Sequence, residues 1–448
     1  MARDPFLLTA SSRRQWLRSS GLALVGTSMS GWLPLLANEA AAKKQKRHCI
    51  LLWMNGGPSQ LDTFDLKPEH ANGGQFKPIA TTADGLQISE HLPKLAKQGQ
   101  HLAVIRSVST KEGDHGRGTY LMRTGYIPGG PVEYPTLGSL VSKELGDDGA
   151  ELPNFVSISP NQAFNPAAYS PGFLGPRYAA ATVGGSDPPR AADTSTGYAQ
   201  LRLDNLKLPQ QIDTARSDRR LELWKSLQDG FLESRPGGSA LAHQLVYDRA
   251  VRLMRSQAAS AFDLEQESTT IRDAYGRGRF GQGCLLARRL IERGVPFVEI
   301  TLGGFEGNSL GWDTHQGNFA AVKNLSAELD SGWATLMQEL SERGLLESTT
   351  ILWMGEFGHT PKINAQGGRD HFPNAWSCVL AGGGIRGGQA YGSTTADGMS
   401  VAENQTDAAG VLATLCAAMG IDPATQNTND VGRPIAIVEG EPIKQLLL

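Results

Sequence analysis

Cysteine is scarce in this chain. Of 448 residues only four are cysteine, Cys49, Cys284, Cys378 and Cys416, and no two are spaced as Cys-x-x-Cys. Each sits among apolar neighbours, so they read as buried core thiols rather than metal ligands, with one or two disulfides left open. A dominant charge is also missing. Lys and Arg total 42 against 45 Asp and Glu, for a net charge of −3. That excludes the strongly basic surface a nucleic-acid protein uses. After residue 42 there is no long apolar run, so no second membrane segment is expected. What the chain has in abundance is glycine, 53 residues, together with 24 prolines. Many loops follow from that, and long loops often carry sites. With 40% hydrophobic and 19% charged residues, the composition is that of a water-soluble globular protein. The length allows one large α/β domain with insertions, or two ordinary domains.

The amino terminus reads as an export leader. Arg13 and Arg14 in Ser12-Arg13-Arg14-Gln15-Trp16-Leu17-Arg18 match the twin-arginine pattern. An apolar stretch over 21–37 follows, then small residues ending at Ala42. The apolar stretch contains Gly, Ser, Thr and Pro, which suits a cleaved leader better than a membrane anchor. Residues 1–42 are therefore expected to be removed, placing the mature chain, 43–448, in the periplasm or outside the cell.

Strand and helix patterns alternate along the mature chain. Buried strands are expected at 48–54, 101–108, 154–159, 296–304 and 349–354, and another in "WSCVLAGGG". Helical spacing marks 135–146, 319–344 and 406–420, the last two ending near Gly344 and Gly420. Residues 160–200 read as a long structured loop. Residues 208–292 place apolar residues at i, i+3, i+4 and i+7, the mark of amphipathic helices, and read as a helical insertion or cap. The sum is an α/β sandwich with a mainly parallel sheet.

Four stretches at or near the ends of expected strands carry chemistry that plain loops do not need. "NGGPSQLDTFD" (55–65) supplies Asp62 and Asp65 behind a glycine pair. "GDHGRGTYLMRTGY" (113–126) sets Asp114, His115 and Arg117 among glycines. "GWDTHQGNF" (311–319) places Asp313 and His315 two apart, on one side of an extended segment. "GEFGHTP" (355–361) and "GGRDHFP" (367–373) bring Glu356, His359, Asp370 and His371 within sixteen residues. Asp and neutral His are a donor pair for a divalent ion. Asp370 has a second reading, as the carboxylate that orients His371. A parallel sheet gathers strand ends along one edge, where ligands bind. The expectation is that these segments meet there.

These same segments, with "ILLWMNGGPSQLDTFDLKP" and "LAGGGIRGG", resemble the exported bacterial family known as domain of unknown function 1501, common in planctomycetes. The resemblance covers about residues 48–445. It implies an alkaline-phosphatase-like three-layer sandwich, related to sulfatases and metal-dependent phosphomutases. On the phosphomutase arrangement, Asp313 and His315 fall near a ligand pair and Glu356 takes the place of a strand-end Asp. Phe357 takes the place of a His, and His371 resembles a later His ligand. Asn55 stands where the superfamily has an Asp. His115 stands where sulfatases carry Cys or Ser, so a formylglycine mechanism is not expected, and Thr119 lacks a partnering base. The resemblance implies a metal-dependent exported hydrolase of phosphate or sulfate esters. Its ligands would be Asp62, Asp313, His315, Glu356 and His371, for Zn, Mn, Ca or Mg. His115 and Arg117 would face the anionic group of a small-molecule or polysaccharide ester, and His359 would serve as general acid–base. The alternative is a non-catalytic binding or surface protein, for example for anionic polysaccharide.

Overall fold

Every residue from His48 to Met54 is buried, which no one-sided strand would allow. The reason is a sheet covered on both faces. The computed structural model describes residues 47–184, 197–203, 206, 211–234, 238–303 and 311–448; the expected leader, 1–42, lies outside the described residues. Eight strands make the main sheet: β1 (His48–Met54), β2 (Leu102–Val108), β3 (Phe155–Ile158), β4 (Ala181–Val183), β5 (Phe297–Leu302), β6 (Thr349–Met354), β7 (Trp376–Gly382) and β8 (Gln389–Tyr391). Their order is β8-β2-β7-β6-β1-β5-β3-β4. β7 runs against its neighbours β6 and β2; the remaining pairings are parallel.

Among the described residues, eight helices of seven residues or more accompany it: α1 (His115–Thr124), α2 (Leu137–Leu145), α3 (Thr214–Ser234), α4 (Gly238–Arg255), α5 (Thr269–Tyr275), α6 (Arg279–Glu292), α7 (Asn318–Glu342) and α8 (Ala408–Ala418). Strand alternation divides the core in two. Ile50 and Leu52 of β1 pack with Cys284 and Leu286 of α6 and Trp333 of α7. Cys49, Leu51 and Trp53 pack with Met122 of α1, Val141 of α2 and Val411 of α8. Burying each such side chain stabilises the fold by roughly 1.5–3 kcal/mol. The result is a three-layer α/β sandwich around a mostly parallel sheet. All four cysteines are buried free thiols.

Three local features depart from the pattern read in the sequence. Within 208–292, α6 is not peripheral: Phe280 through Ile291 are all buried, and the helix belongs to the layer against β5. The loop expected over 160–200 contains the short edge strand β4. The glycine-rich stretch at 113–126 is largely helix. Asp114 caps it by accepting from Arg117 N–H, and Gly125 ends it in the left-handed region at φ 79°. Gly118 is needed there, because a Cβ would lie 3.1 Å from both the Glu356 carbonyl oxygen and the Phe357 ring. Close approach of α1 to the end of β6 therefore outweighs the poor helix propensity of glycine.

Candidate metal centre

The ends of β1, β5 and β6 lie side by side, with Met54 opposite Leu302 and Trp53 opposite Met354. Beyond these ends the chain must turn. Gly57, at φ 77°, allows it where any Cβ would come within 2.5 Å of the Phe357 carbonyl oxygen. β6 leads directly to Glu356. A two-residue antiparallel ladder then pairs His359 with His371. α1 presents His115 from its first turn, and the segment after β5 supplies Asp313 and His315.

Four imidazoles surround one carboxylate. Asp313 Oδ1 lies 2.9 Å from His315 Nε2, 3.2 Å from His371 Nε2 and 3.3 Å from His359 Nε2. Asp313 Oδ2 lies 3.2 Å from His115 Nε2. The opposite nitrogen of three rings faces an acceptor. His115 Nδ1 is 2.7 Å from Glu356 Oε1, His315 Nδ1 is 3.1 Å from Asp370 Oδ1, and His371 Nδ1 is 2.8 Å from the Gly113 carbonyl oxygen. A proton held at each Nδ1 leaves three bare Nε2 lone pairs pointing at a carboxylate. His315 Nε2 and His371 Nε2 are 3.1 Å apart, a repulsive contact between two lone pairs unless a cation sits between them. His115 Nε2 is buried and makes no aligned hydrogen bond. His115, Asp313 and His371 each offer a ligand atom within 4.8 Å of the others. This donor set fits a metal ion, with acceptors behind the rings fixing each tautomer.

The electrostatics agree. Burial lowers the His115 pKa, but hydrogen bonds and charge from Asp313 and Glu356 outweigh it and push the value up to about 9. Burial raises that of Asp313, yet hydrogen bonds from His115, His359 and His371 hold it well below the usual carboxylate range. Two carboxylates thus demand positive charge at this spot, and a proton on His115 meets that demand when no metal does. His359 is fully buried, and desolvation lowers its pKa despite the attraction of Asp313.

Of the residues singled out in the sequence, the structure brings together His115, Asp313, His315, Glu356, His359 and His371. It does not bring in Asp62 or Arg117. Asp62 is fully buried and accepts two hydrogen bonds from Arg369 and one from Asn318. Both its oxygens are occupied, and its role is to tie the 55–65 turn to the loop carrying His371. Arg117 reaches outward to Glu112, with contacts of 2.5 and 2.7 Å. It partners the carboxylate of Glu112, just before α1, and not the centre. Glu356 holds its place differently from a simple ligand. Its Oε1 accepts from Gly56 N–H at 2.9 Å and faces His115, while Oε2 is buried without a partner. His359 sits too deep to meet solvent; His315, with a side chain 42% exposed, is the imidazole at the rim. Asp370 orients His315 rather than His371, because neighbouring residues of an extended segment point to opposite sides.

Sequence reasoning missed Phe164 and the role of Gly113. Phe164 stacks flat on His115, with ring centroids 4.3 Å apart and 8° between planes, and Phe357 packs against both His115 and His371. Phe164 lies in a Gly- and Pro-rich stretch without periodicity, so only the structure reveals it. Replacing Asp370 by Asn is expected to weaken cation binding about 10–100-fold while leaving the fold intact, as measured by metal titration and thermal unfolding together.

Fold and site together define an α/β protein with a histidine-rich centre at the carboxyl edge of a parallel sheet. The chain belongs to the family described as protein of unknown function (DUF1501), which it matches over residues 46–447. Among solved structures it is similar to a sulfatase from Pseudoalteromonas sp., at 14% identity and TM-score 0.38, over 87% of this chain and 70% of that one. It is also similar to a protein in the alkaline phosphatase superfamily from Vibrio parahaemolyticus, at 9% identity and TM-score 0.39, over 87% and 71%. A third is the lipoteichoic acid synthase LtaP from Listeria monocytogenes, at 8% identity and TM-score 0.37, over 84% and 72%. No curated protein sequence matches the chain. Among the described residues, no helix is long and apolar enough to cross a membrane.

Proposed function

We propose that this protein is a metal-dependent hydrolase of phosphate or sulfate esters, exported by its twin-arginine leader. The observation that carries the reading is the convergence of imidazole Nε2 atoms on Asp313 with acceptors behind three of the rings. His115, Asp313, His315, His359 and His371 would hold the ion. A set this rich in imidazole suits a cation such as Zn better than Mn, Mg or Ca. Such a cation supplies Lewis-acid polarisation of an ester oxygen.

The chain's own residues define the rest. Glu356, Asp370 and the Gly113 carbonyl hold protons at Nδ1 of His115, His315 and His371, and so fix three rings. Phe164 and Phe357 cover His115 and keep water from one side of it. With Arg117 engaged by Glu112 and Arg369 by Asp62, neither guanidinium is turned to an anionic ester, and positive charge opposite it would come from the centre itself. His315, at the rim and backed by Asp370, is the imidazole of the set nearest solvent.

A second reading, a binding protein without catalysis, is favoured by one observation. His115 stands at the start of α1, where the resemblance puts a nucleophile, and its ring is pinned between Glu356 and Asp313. A screen of aryl phosphates and aryl sulfates with and without added Zn or Mn separates the two. Hydrolysis that appears with metal and disappears with chelator supports the hydrolase. Tight metal binding with no turnover of either ester class leaves the binding reading.

A further inference from the structure

α3 is 21 residues long, yet none of its described side chains is buried. Leu223, Leu227 and Phe231 are 62%, 67% and 48% exposed. Spaced at i, i+4 and i+8, they form one stripe along the helix. A groove of about 300 Å³ beside it is lined by Trp224, Leu227, Gln228, Phe231 and His243. Trp224 stacks on Tyr247 of α4, with centroids 3.9 Å apart, so α3 is held chiefly by α4. α4 in turn is fastened at its far end, through Arg249 to the Arg177 carbonyl and Arg252 to the Asp148 carbonyl. A helix of this length draws its stability from a covered apolar face, and an exposed stripe of this size marks an interaction surface.

We propose that a second copy of this chain covers the stripe, with the two α3 helices packed antiparallel about a two-fold axis. The charge pattern selects this occupant. Arg219 lies seven residues before Ser226 and Glu233 seven residues after it. Seven residues return to nearly the same side of a helix, so all three flank the apolar stripe on one edge. A two-fold axis near Ser226 sets Arg219 against Glu233 of the second copy and repeats the pair on the other side, as an isologous interface requires. Ser226 and Gly230 are small and permit close approach of the helices. An anionic lipid surface would favour a helix basic on its polar face. α3 instead carries Asp218, Glu222, Asp229 and Glu233 beside its Arg residues.

Sedimentation velocity of the purified chain tests this. A reversible dimer is expected. The charge reversals R219E and E233R should each weaken association about tenfold or more, and the double variant R219E/E233R should regain most of it. The variant L223D/L227D should be monomeric while its helical circular dichroism and metal content match the parent. Recovery in the double reversal supports the proposal and does not depend on the surface variant folding well. A chain that is monomeric at about 100 μM, well above the Kd of a specific micromolar dimer, overturns it. So does a dimer unaffected by all four variants, or a chain that binds phosphatidylglycerol vesicles through Leu223 and Leu227 without self-associating.

Discussion

Asparagine in place of Asp313 is expected to strip the centre of its cation and abolish ester hydrolysis. The carboxylate is the one group touched by all four imidazoles, with separations of 2.9 to 3.3 Å. The Asn side chain has nearly the same shape but no charge. Four neutral or partly protonated rings would then face each other without a counter-ion, and His115 would keep only Glu356 as an anionic partner. Loss of several kcal/mol of charge stabilisation corresponds to about a thousandfold or more in rate. Asp313 lies on the segment after β5 with its side chain nearly buried against these rings, so removing its charge should also lower the unfolding temperature. Retained metal and retained hydrolysis in D313N would remove Asp313 from the centre.

The second large effect concerns stability. Methionine at position 369 should destabilise the fold by about 3–5 kcal/mol, the usual result of removing one partner of a buried ion pair. Arg369 and Asp62 have fully buried side chains and meet through two contacts, of 2.8 and 3.0 Å. Arg369 also donates to the carbonyl oxygens of Thr360, Pro361 and Asn72. R369M leaves the Asp62 carboxylate buried with only Asn318 for company. Chemical denaturation should show the loss, and the double variant D62N/R369M should recover part of it, because no uncompensated charge then remains. The same change should loosen the loop that carries His371, so metal affinity falls as well. A destabilisation under about 1 kcal/mol would mean the pair is solvated in solution.

These two residues also mark where sequence reading stops. β1 and β6 were legible because continuous apolar runs bounded by glycine signal strands buried on both faces. Their carboxyl ends point to the edge of the sheet where Asp313, Glu356 and His371 lie near one another. Asp62 follows β1, and sequence alone therefore places it at the same edge. Whether a carboxylate meets a cation or a guanidinium depends on the partner 307 residues away, and no local pattern encodes that. Arg117 failed for a different reason. Read as loop, it could point anywhere; once 115–124 is helix, it turns outward while His115 turns in. The helix itself is masked by Gly116, where a Cβ would meet the Phe164 carbonyl oxygen, and Gly118, close against Glu356 and Phe357, residues present for close packing rather than for helix propensity. The division of labour between Asp370 behind His315 and Gly113 behind His371 needs the register of the His359–His371 ladder.

The most direct test is elemental analysis of the purified chain after dialysis against equal concentrations of Zn, Mn, Ca and Mg. An imidazole-lined centre predicts about one transition-series cation per chain, with Ca and Mg left behind. Less than about a tenth of an equivalent retained, or a preference for Ca or Mg, would contradict a cation site built from His115, His315, His359 and His371 around Asp313.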